Sequence, residues 1–129
     1  MEVPTFLLRR LYVKGSLRNE GAGFAFDLKN SLGSGYAEQV LPVTLDGEVL
    51  PVESAAFTVD GETVRFSDVS GERPMTLGFH RAVTINVAGR TLVDGKHKIG
   101  MGFVVTGMGE MRFDVTDVIG DQPATDAAG

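Results

Sequence analysis

The feature that most constrains this chain is the alternation of apolar with polar or small residues along most of its length. Phe24, Phe26 and Leu28, for example, stand at every second position of one run. Successive side chains of a β-strand point to opposite faces of the sheet, so this period is typical of strands that bury one face. No stretch of ten residues or more carries the apolar stripe of a helix, and the only helix-compatible piece, 52–56, is short. The alternation therefore predicts an all-β chain.

Several further runs repeat the pattern and bring the predicted number of strands to about eight. Their apolar positions are Leu11, Val13 and Leu17; Leu41, Val43 and Leu45; Phe57 and Val59; Val64 and Phe66; Val83, Ile85 and Val87; Ile99, Met101 and Phe103; Met111, Phe113 and Val115. Asp46-Gly47, Asp60-Gly61 and Asp94-Gly95 have the composition of tight hairpin turns. One apolar face per strand suits two packed sheets better than a barrel. We therefore predict an antiparallel two-sheet β-sandwich.

Length and composition limit the organisation and the partners of the chain. Its 129 residues, 43% of them hydrophobic, are enough for one sandwich domain over 1–119, followed by a flexible tail over 120–129. The net charge of −5 disfavours nucleic acid and anionic membranes as partners. No apolar run approaches the roughly 18 residues that span a bilayer, and the first residues do not resemble a signal peptide. The absence of cysteine excludes thiolate chemistry and agrees with a cytoplasmic location.

The longest stretch without alternation, 67–81, is the best candidate for a ligand site. It holds Arg73, Phe79, His80 and Arg81, which we predict as ligand-binding residues, with Glu72 beside them. Long loops on a rigid sandwich carry function more often than strands do. His80 is the candidate catalytic residue, although an exposed loop histidine is more often inert.

The remaining motifs point to no complete catalytic or metal site. His97 shares parity with Ile99 and Met101 and should therefore lie at the end of a buried face, where packing is commoner than ligation. We predict no metal in this chain. Most carboxylates, such as Asp46 and Asp60, occupy turns, and the Gly-x-Ser-x-Gly motif of a serine hydrolase is absent.

Glycines inside one predicted strand suggest a partner interface. Gly100 and Gly102 have no side chains, so the strand face that they share with Lys98 is bare at two positions. Met108 lies in the following turn. Glycine within a strand is typical of sites where another backbone approaches closely. These four residues form the predicted interface, for another subunit or for self-association. A bulged hairpin would explain the glycines equally well.

Several motifs, taken in order, resemble the small β-subunit of bacterial C-glycoside deglycosidases. They are Lys14 to Asn19, Gly23 to Asn30, Val43 to Pro51, Phe57 to Gly61, and the late pattern of Leu92, Gly95 and His97. The resemblance covers about Tyr12 to Phe103. It implies a β-sandwich that docks on a larger barrel α-subunit, which holds a divalent metal and cleaves the carbon–carbon bond of 3-oxo-C-glycosides.

On that resemblance the chain is an accessory, non-catalytic subunit of a lyase-type complex, with no cofactor of its own and with a glycoside as a possible ligand. The alternative is a stand-alone, homo-oligomeric sandwich that binds a small ligand, or a small enzyme, using the loop of His80. Similar short chains carry the label hydroxymethylglutaryl-CoA reductase. The residues do not support that activity, because they contain no nicotinamide fingerprint and no dinucleotide-binding fold.

Overall fold

A computed structural model of the chain describes residues 4–33, 35–78 and 80–120. These residues form eleven strands, a short helix α1 (Thr5–Leu8), and 3-10 helices at Arg9–Leu11, Val52–Ser54 and Phe66–Asp68. The strands are β1 (Arg18–Glu20), β2 (Gly23–Lys29), β3 (Gly35–Val40), β4 (Thr44–Leu45), β5 (Glu48–Val49), β6 (Ala55–Val59), β7 (Glu62–Arg65), β8 (Met75–Leu77), β9 (Ala82–Val87), β10 (Gly95–Val105) and β11 (Gly109–Ile119). No helix among them is long and apolar enough to cross a membrane.

The strands pair into two antiparallel sheets, which confirms the predicted all-β sandwich. One sheet has the order β1-β2-β9-β6-β7. The other has the order β5-β4-β10-β3-β8, and β11 pairs with the free side of β10 over its whole length, from Gly95 opposite Ile119 to Val105 opposite Gly109. Between the sheets lies one apolar core, in which Phe24, Phe26 and Ile85 of the first sheet are almost completely buried.

Two of the three predicted Asp-Gly turns are confirmed. Asp46 and Gly47 join β4 to β5, and Asp60 and Gly61 join β6 to β7; all four have positive φ angles, as a type I′ turn requires. The prediction for Asp94-Gly95 is wrong, because β9 and β10 belong to different sheets. The chain instead crosses from one sheet to the other over residues 88–94. Gly95 has a positive φ and Asp94 does not, so the two residues do not form a type I′ turn.

The other differences from prediction concern short or irregular elements. The run predicted as a first strand, 11–18, has one isolated bridge, between Tyr12 and Leu28, before β1. Strands β3 and β8 lie in segments expected to be loops, and α1 was not predicted. Residues 52–56 form a 3-10 turn that runs into β6. Of the predicted tail, 120–129, all but Gly120 lies outside the described residues.

The in-strand glycines of β10 make room for the segment that leads into β4. A Cβ atom at Gly102 would lie 2.7 Å from Leu41 Cδ1, and one at Gly100 would overlap Thr44 Oγ1. The Leu41 backbone N–H also donates to the Gly102 carbonyl at 2.9 Å. The close approach that these glycines permit is therefore made by the chain's own residues 41–44.

The variant Gly100→Ala should reduce the free energy of unfolding by about 1–3 kcal/mol, the usual cost of overpacking. Its methyl group would collide with Thr44 Oγ1, whereas the Thr44 Cβ lies at an ordinary contact distance of 3.5 Å. Thr44→Ala in the same chain should therefore restore part of the lost stability. Urea denaturation of the two single variants and the double variant measures this coupling.

Gly71→Ala is the matched control, because nothing lies within 4 Å of the position that its Cβ atom would occupy. It should leave the urea midpoint nearly unchanged. If the effects of Gly100→Ala and Thr44→Ala are simply additive, the packing of Thr44 over Gly100 is not the reason for this glycine.

Candidate functional site

A cleft opens on one flank of the sandwich, where an edge strand of each sheet meets the other. It has a volume of about 550 Å³ and is lined by residues of β6, β7 and β8, of the turn between β6 and β7, and of the segments before and after β8. Apolar side chains of Phe57, Val59, Val64 and Met75 contribute to the lining. The polar and charged lining residues are Asp60, Glu62, Arg73, Thr76 and Arg81. The cleft therefore combines an apolar wall with groups of both charges.

Arg81 is held at the cleft by a turn and an ion pair. Its backbone N–H donates to the Gly78 carbonyl at 3.1 Å, which closes the turn before β9. Its guanidinium forms a salt bridge with Asp60, in the type I′ turn between β6 and β7. Both side chains are more than half exposed, so this pair contributes only about 0–1 kcal/mol.

Arg73 reaches the same cleft from a tight turn of its own. Ser70 and Arg73 exchange two backbone hydrogen bonds of 3.1 Å, and Ser70 Oγ also accepts the Arg73 backbone N–H at 3.2 Å. Within the described part of the chain, Arg73 takes part in no salt bridge. Its guanidinium is therefore the cationic group of this cleft that pairs with no carboxylate of the described residues.

The four residues predicted to bind a ligand are only partly brought together. Arg73 and Arg81 line one cleft. His80 is exposed, has a φ of 63°, and donates its backbone N–H to the Asn30 carbonyl; it is not among the residues that line the cleft. Phe79 lies outside the described residues. A catalytic role for His80 stays a prediction.

His97 is buried at the end of the core face, as its parity predicted, and both of its ring nitrogens have partners. Nδ1 lies 2.8 Å from Asp46 Oδ2, and Nε2 lies 2.7 Å from the Val93 carbonyl oxygen. Asp46 Oδ1 also accepts the Lys98 backbone N–H at 2.8 Å. The imidazole thus ties the β4–β5 turn to the crossover segment, a structural contact that accounts for the Gly-x-His pattern.

The surroundings of this pair shift both pKa values toward the charged forms. Burial lowers the pKa of His97, but the hydrogen bonds to Val93 and Asp46 and the Asp46 charge outweigh it, and the net direction is upward. The Lys98 backbone N–H, followed by His97, lowers the pKa of Asp46. An imidazolium satisfies both acceptors, whereas a neutral ring would leave a nitrogen lone pair facing an oxygen.

Asp117 is a buried carboxylate whose structural role was not predicted. Its Oδ2 accepts the Tyr12 hydroxyl at 2.6 Å and the Gly15 backbone N–H at 2.9 Å. Burial, followed by the bond to Asp117, raises the pKa of the Tyr12 hydroxyl. Asp117 has the same parity as Phe113 and Ile119, which are buried, so the alternation of β11 could have placed it on the inner face.

The fold does not place the four residues of the predicted partner interface on one exposed surface. Gly100 and Gly102 are buried under Thr44 and Leu41, Lys98 is exposed, and Met108 is partly exposed in the β10–β11 turn. The side chains of Thr44 and Leu41 fill the space over the two glycines. A partner at these four residues stays a prediction, and the glycines no longer argue for it.

No cluster of three or more His, Asp or Glu side chains suited to a metal ion occurs among residues 4–33, 35–78 and 80–120. The hydrogen bonds of His97 to Asp46 and Val93 occupy both nitrogens of that ring.

The fold is that of an all-β sandwich with a cleft on its flank. Residues 7–120 match the family model described as hydroxymethylglutaryl-CoA reductase, N-terminal domain. The match covers most of the chain, which therefore belongs to this family. No curated protein matches the chain.

The resemblance to C-glycoside deglycosidase β-subunits is therefore wrong. The family match spans the whole stretch from Tyr12 to Phe103 on which the resemblance rested. Two of its motifs have local structural causes, because Asp46-Gly47 makes a hairpin turn and His97 fastens that turn to the core. The accessory-subunit function, with its metal-holding α-subunit, rested on that resemblance and is wrong as well. The label hydroxymethylglutaryl-CoA reductase, which the sequence analysis rejected, is the one that agrees with the family.

The free energy of unfolding should pass through a maximum between about pH 4 and pH 6.5. His97, with its pKa raised by folding, stabilises fully below its unfolded value of 6.5, and this contribution is lost as the pH rises through its folded pKa. Asp46, with its pKa lowered, stabilises above its unfolded value of 3.8, and this contribution is lost as the pH falls through its folded pKa.

Urea denaturation between pH 5.5 and about pH 8.5 tests the predicted fall in the free energy of unfolding above the maximum. His97→Gln should remove most of this pH dependence, because the glutamine amide does not titrate in this range. If the free energy of unfolding of His97→Gln still falls over this pH range, another group is responsible for the loss.

Proposed function

We propose that this chain is a binding domain that takes a small organic anion with an apolar part in the flank cleft. The observation that carries the proposal is the meeting of Arg73 and Arg81 at one cleft with an apolar wall. Its volume of about 550 Å³ is within the range of about 300–1,000 Å³ usual for small-molecule sites. No reaction step and no cofactor are assigned to it.

The two guanidinium groups set the chemistry of the ligand. A planar guanidinium donates two parallel hydrogen bonds to a carboxylate or phosphate, which makes arginine well suited to such anions. Arg73 pairs with no carboxylate in the described part of the chain, and the exposed pair of Arg81 with Asp60 is weak enough to exchange for a ligand. Glu62 and Asp60 would favour a single anionic group inside the cleft and would keep any further charges of the ligand outside it.

The family description supplies the first compounds to try. Hydroxymethylglutaryl-CoA has an acyl part that ends in a carboxylate and a CoA part that carries phosphates. Apolar atoms next to its carboxylate would contact Phe57, Val64 and Met75. A cytoplasmic location, predicted from the absence of cysteine, agrees with such a ligand and stays a prediction.

The test is a titration of the whole chain with hydroxymethylglutaryl-CoA, CoA and 3-hydroxy-3-methylglutarate, followed by calorimetry. We expect binding of at least one compound that carries the acyl carboxylate. Arg73→Gln should weaken it about tenfold or more, because a hydrogen bond to a charged group contributes about 1.5–3 kcal/mol. Arg81→Gln should weaken it less, since that guanidinium already has a partner.

Two arginines outside the cleft provide matched controls with the same charge change. Arg10→Gln matches Arg73→Gln, because Arg10 is exposed and forms no described salt bridge. Arg90→Gln matches Arg81→Gln, because Arg90 pairs with Glu48 on the surface at 2.9 Å. Equal loss in cleft and control variants, or no binding of any of the three compounds, would contradict the proposal.

A further inference from the structure

A second cavity opens where the N-terminal segment crosses the end of the core. It has a volume of about 160 Å³. Its walls come from α1 and the following 3-10 turn, from the loop after β2, and from β3, β10, β11 and the turn between the last two. The lining residues are Leu8, Leu11, Asn30, Leu32, Gly33, Gly35, Phe103, Val105, Met108 and Met111. None of them lines the flank cleft.

The walls of this cavity are almost entirely apolar. Leu8, Leu11, Phe103 and Val105 belong to the buried core, so the cavity is an opening into the core. Leu32 and Met108 are partly exposed and stand where it meets solvent. A side chain at Gly35 would extend along this wall, because its built Cβ lies 3.8 Å from Val105 Cγ1.

Asn30 contributes a side-chain amide to the described part of the lining, and that amide is used within its own loop. Its Nδ2 donates to the Gly33 carbonyl at 2.6 Å, and its Oδ1 accepts the Leu32 backbone N–H at 3.0 Å. These bonds hold the loop that forms one wall.

We propose that this cavity binds a small apolar group about the size of a benzene ring. The basis is its volume of about 160 Å³ together with its apolar walls. An engineered protein cavity of about 150 Å³ lined by Leu, Ile and Phe side chains binds benzene, so a space of this size is sufficient for one ring. Met108 and Met111 add unbranched, polarisable side chains that adjust to a guest and contact aromatic rings favourably. The inference does not depend on the proposed function, because the two cavities share no residue.

Methyl resonances of the methionines test the site directly, with benzene as the probe. Met108 and Met111 line the cavity, whereas Met75 lines the flank cleft. In the whole chain labelled at the methionine methyl groups, benzene should shift the Met108 and Met111 resonances in a saturable manner. The Met75 resonance should stay in place. Absence of a saturable shift at Met108 and Met111 would overturn the proposal.

Gly35→Leu is the variant that should block the cavity, and Gly71→Leu is its control. Both glycines lack a positive φ, and nothing lies within 4 Å of a Cβ at Gly71. Gly35→Leu should weaken benzene binding at least tenfold, and Gly71→Leu should bind as the unchanged chain does. Wild-type affinity in a folded Gly35→Leu variant would refute the assignment.

If Gly35→Leu does not fold, Gly35→Ala decides the question. Its single added methyl group makes an ordinary contact with Val105, so the core is left intact while the cavity becomes smaller. Benzene binding should then fall measurably, by about twofold or more, relative to Gly71→Ala. Equal affinity of these two alanine variants would show that benzene binds elsewhere.

Discussion

The architecture depends on one long strand, β10, that is hydrogen-bonded on both sides. β11 occupies one side over eleven residue pairs. The other side is shared, with β4 opposite Ile99 and Gly100 and β3 opposite Phe103 to Val105. The side chain of Leu41, in the link between these two strands, lies over Gly102, and that of Thr44, in β4, lies over Gly100. The two glycines thus give this part of the sheet the space in which Leu41 and Thr44 pack.

The strands that could be predicted are those whose local pattern agrees with their tertiary environment. β2 buries Phe24, Phe26 and Leu28 on one face, and the Asp-Gly pairs at 46 and 60 adopt the backbone that their composition favours. β3 was missed because its register shifts between Val104 and Val105 of its partner, which breaks the alternation. β8 has only three residues, too few for any period to show.

The candidate site was predictable in part for a related reason. Arg73 and Arg81 stood out because they lie in the longest non-alternating stretch of the chain. The contribution of Asp60, Glu62 and Val64 could not be foreseen, because it depends on β7 and β8 being edges of different sheets that meet on one flank. The family could not be read from the short motifs either, since turns such as Asp46-Gly47 are common to many sandwiches.

The contact between Tyr12 and Asp117 joins residues that are 105 positions apart, and Arg9 similarly reaches the Asp114 carbonyl at 2.9 Å. The segment that precedes β1 therefore lies side by side with the last strand. In a longer protein, a polypeptide could enter and leave this sandwich on neighbouring paths. Domains with adjacent ends tolerate insertion into a host loop and circular permutation. The Tyr12–Asp117 hydrogen bond would then hold the entering and the leaving segments next to each other.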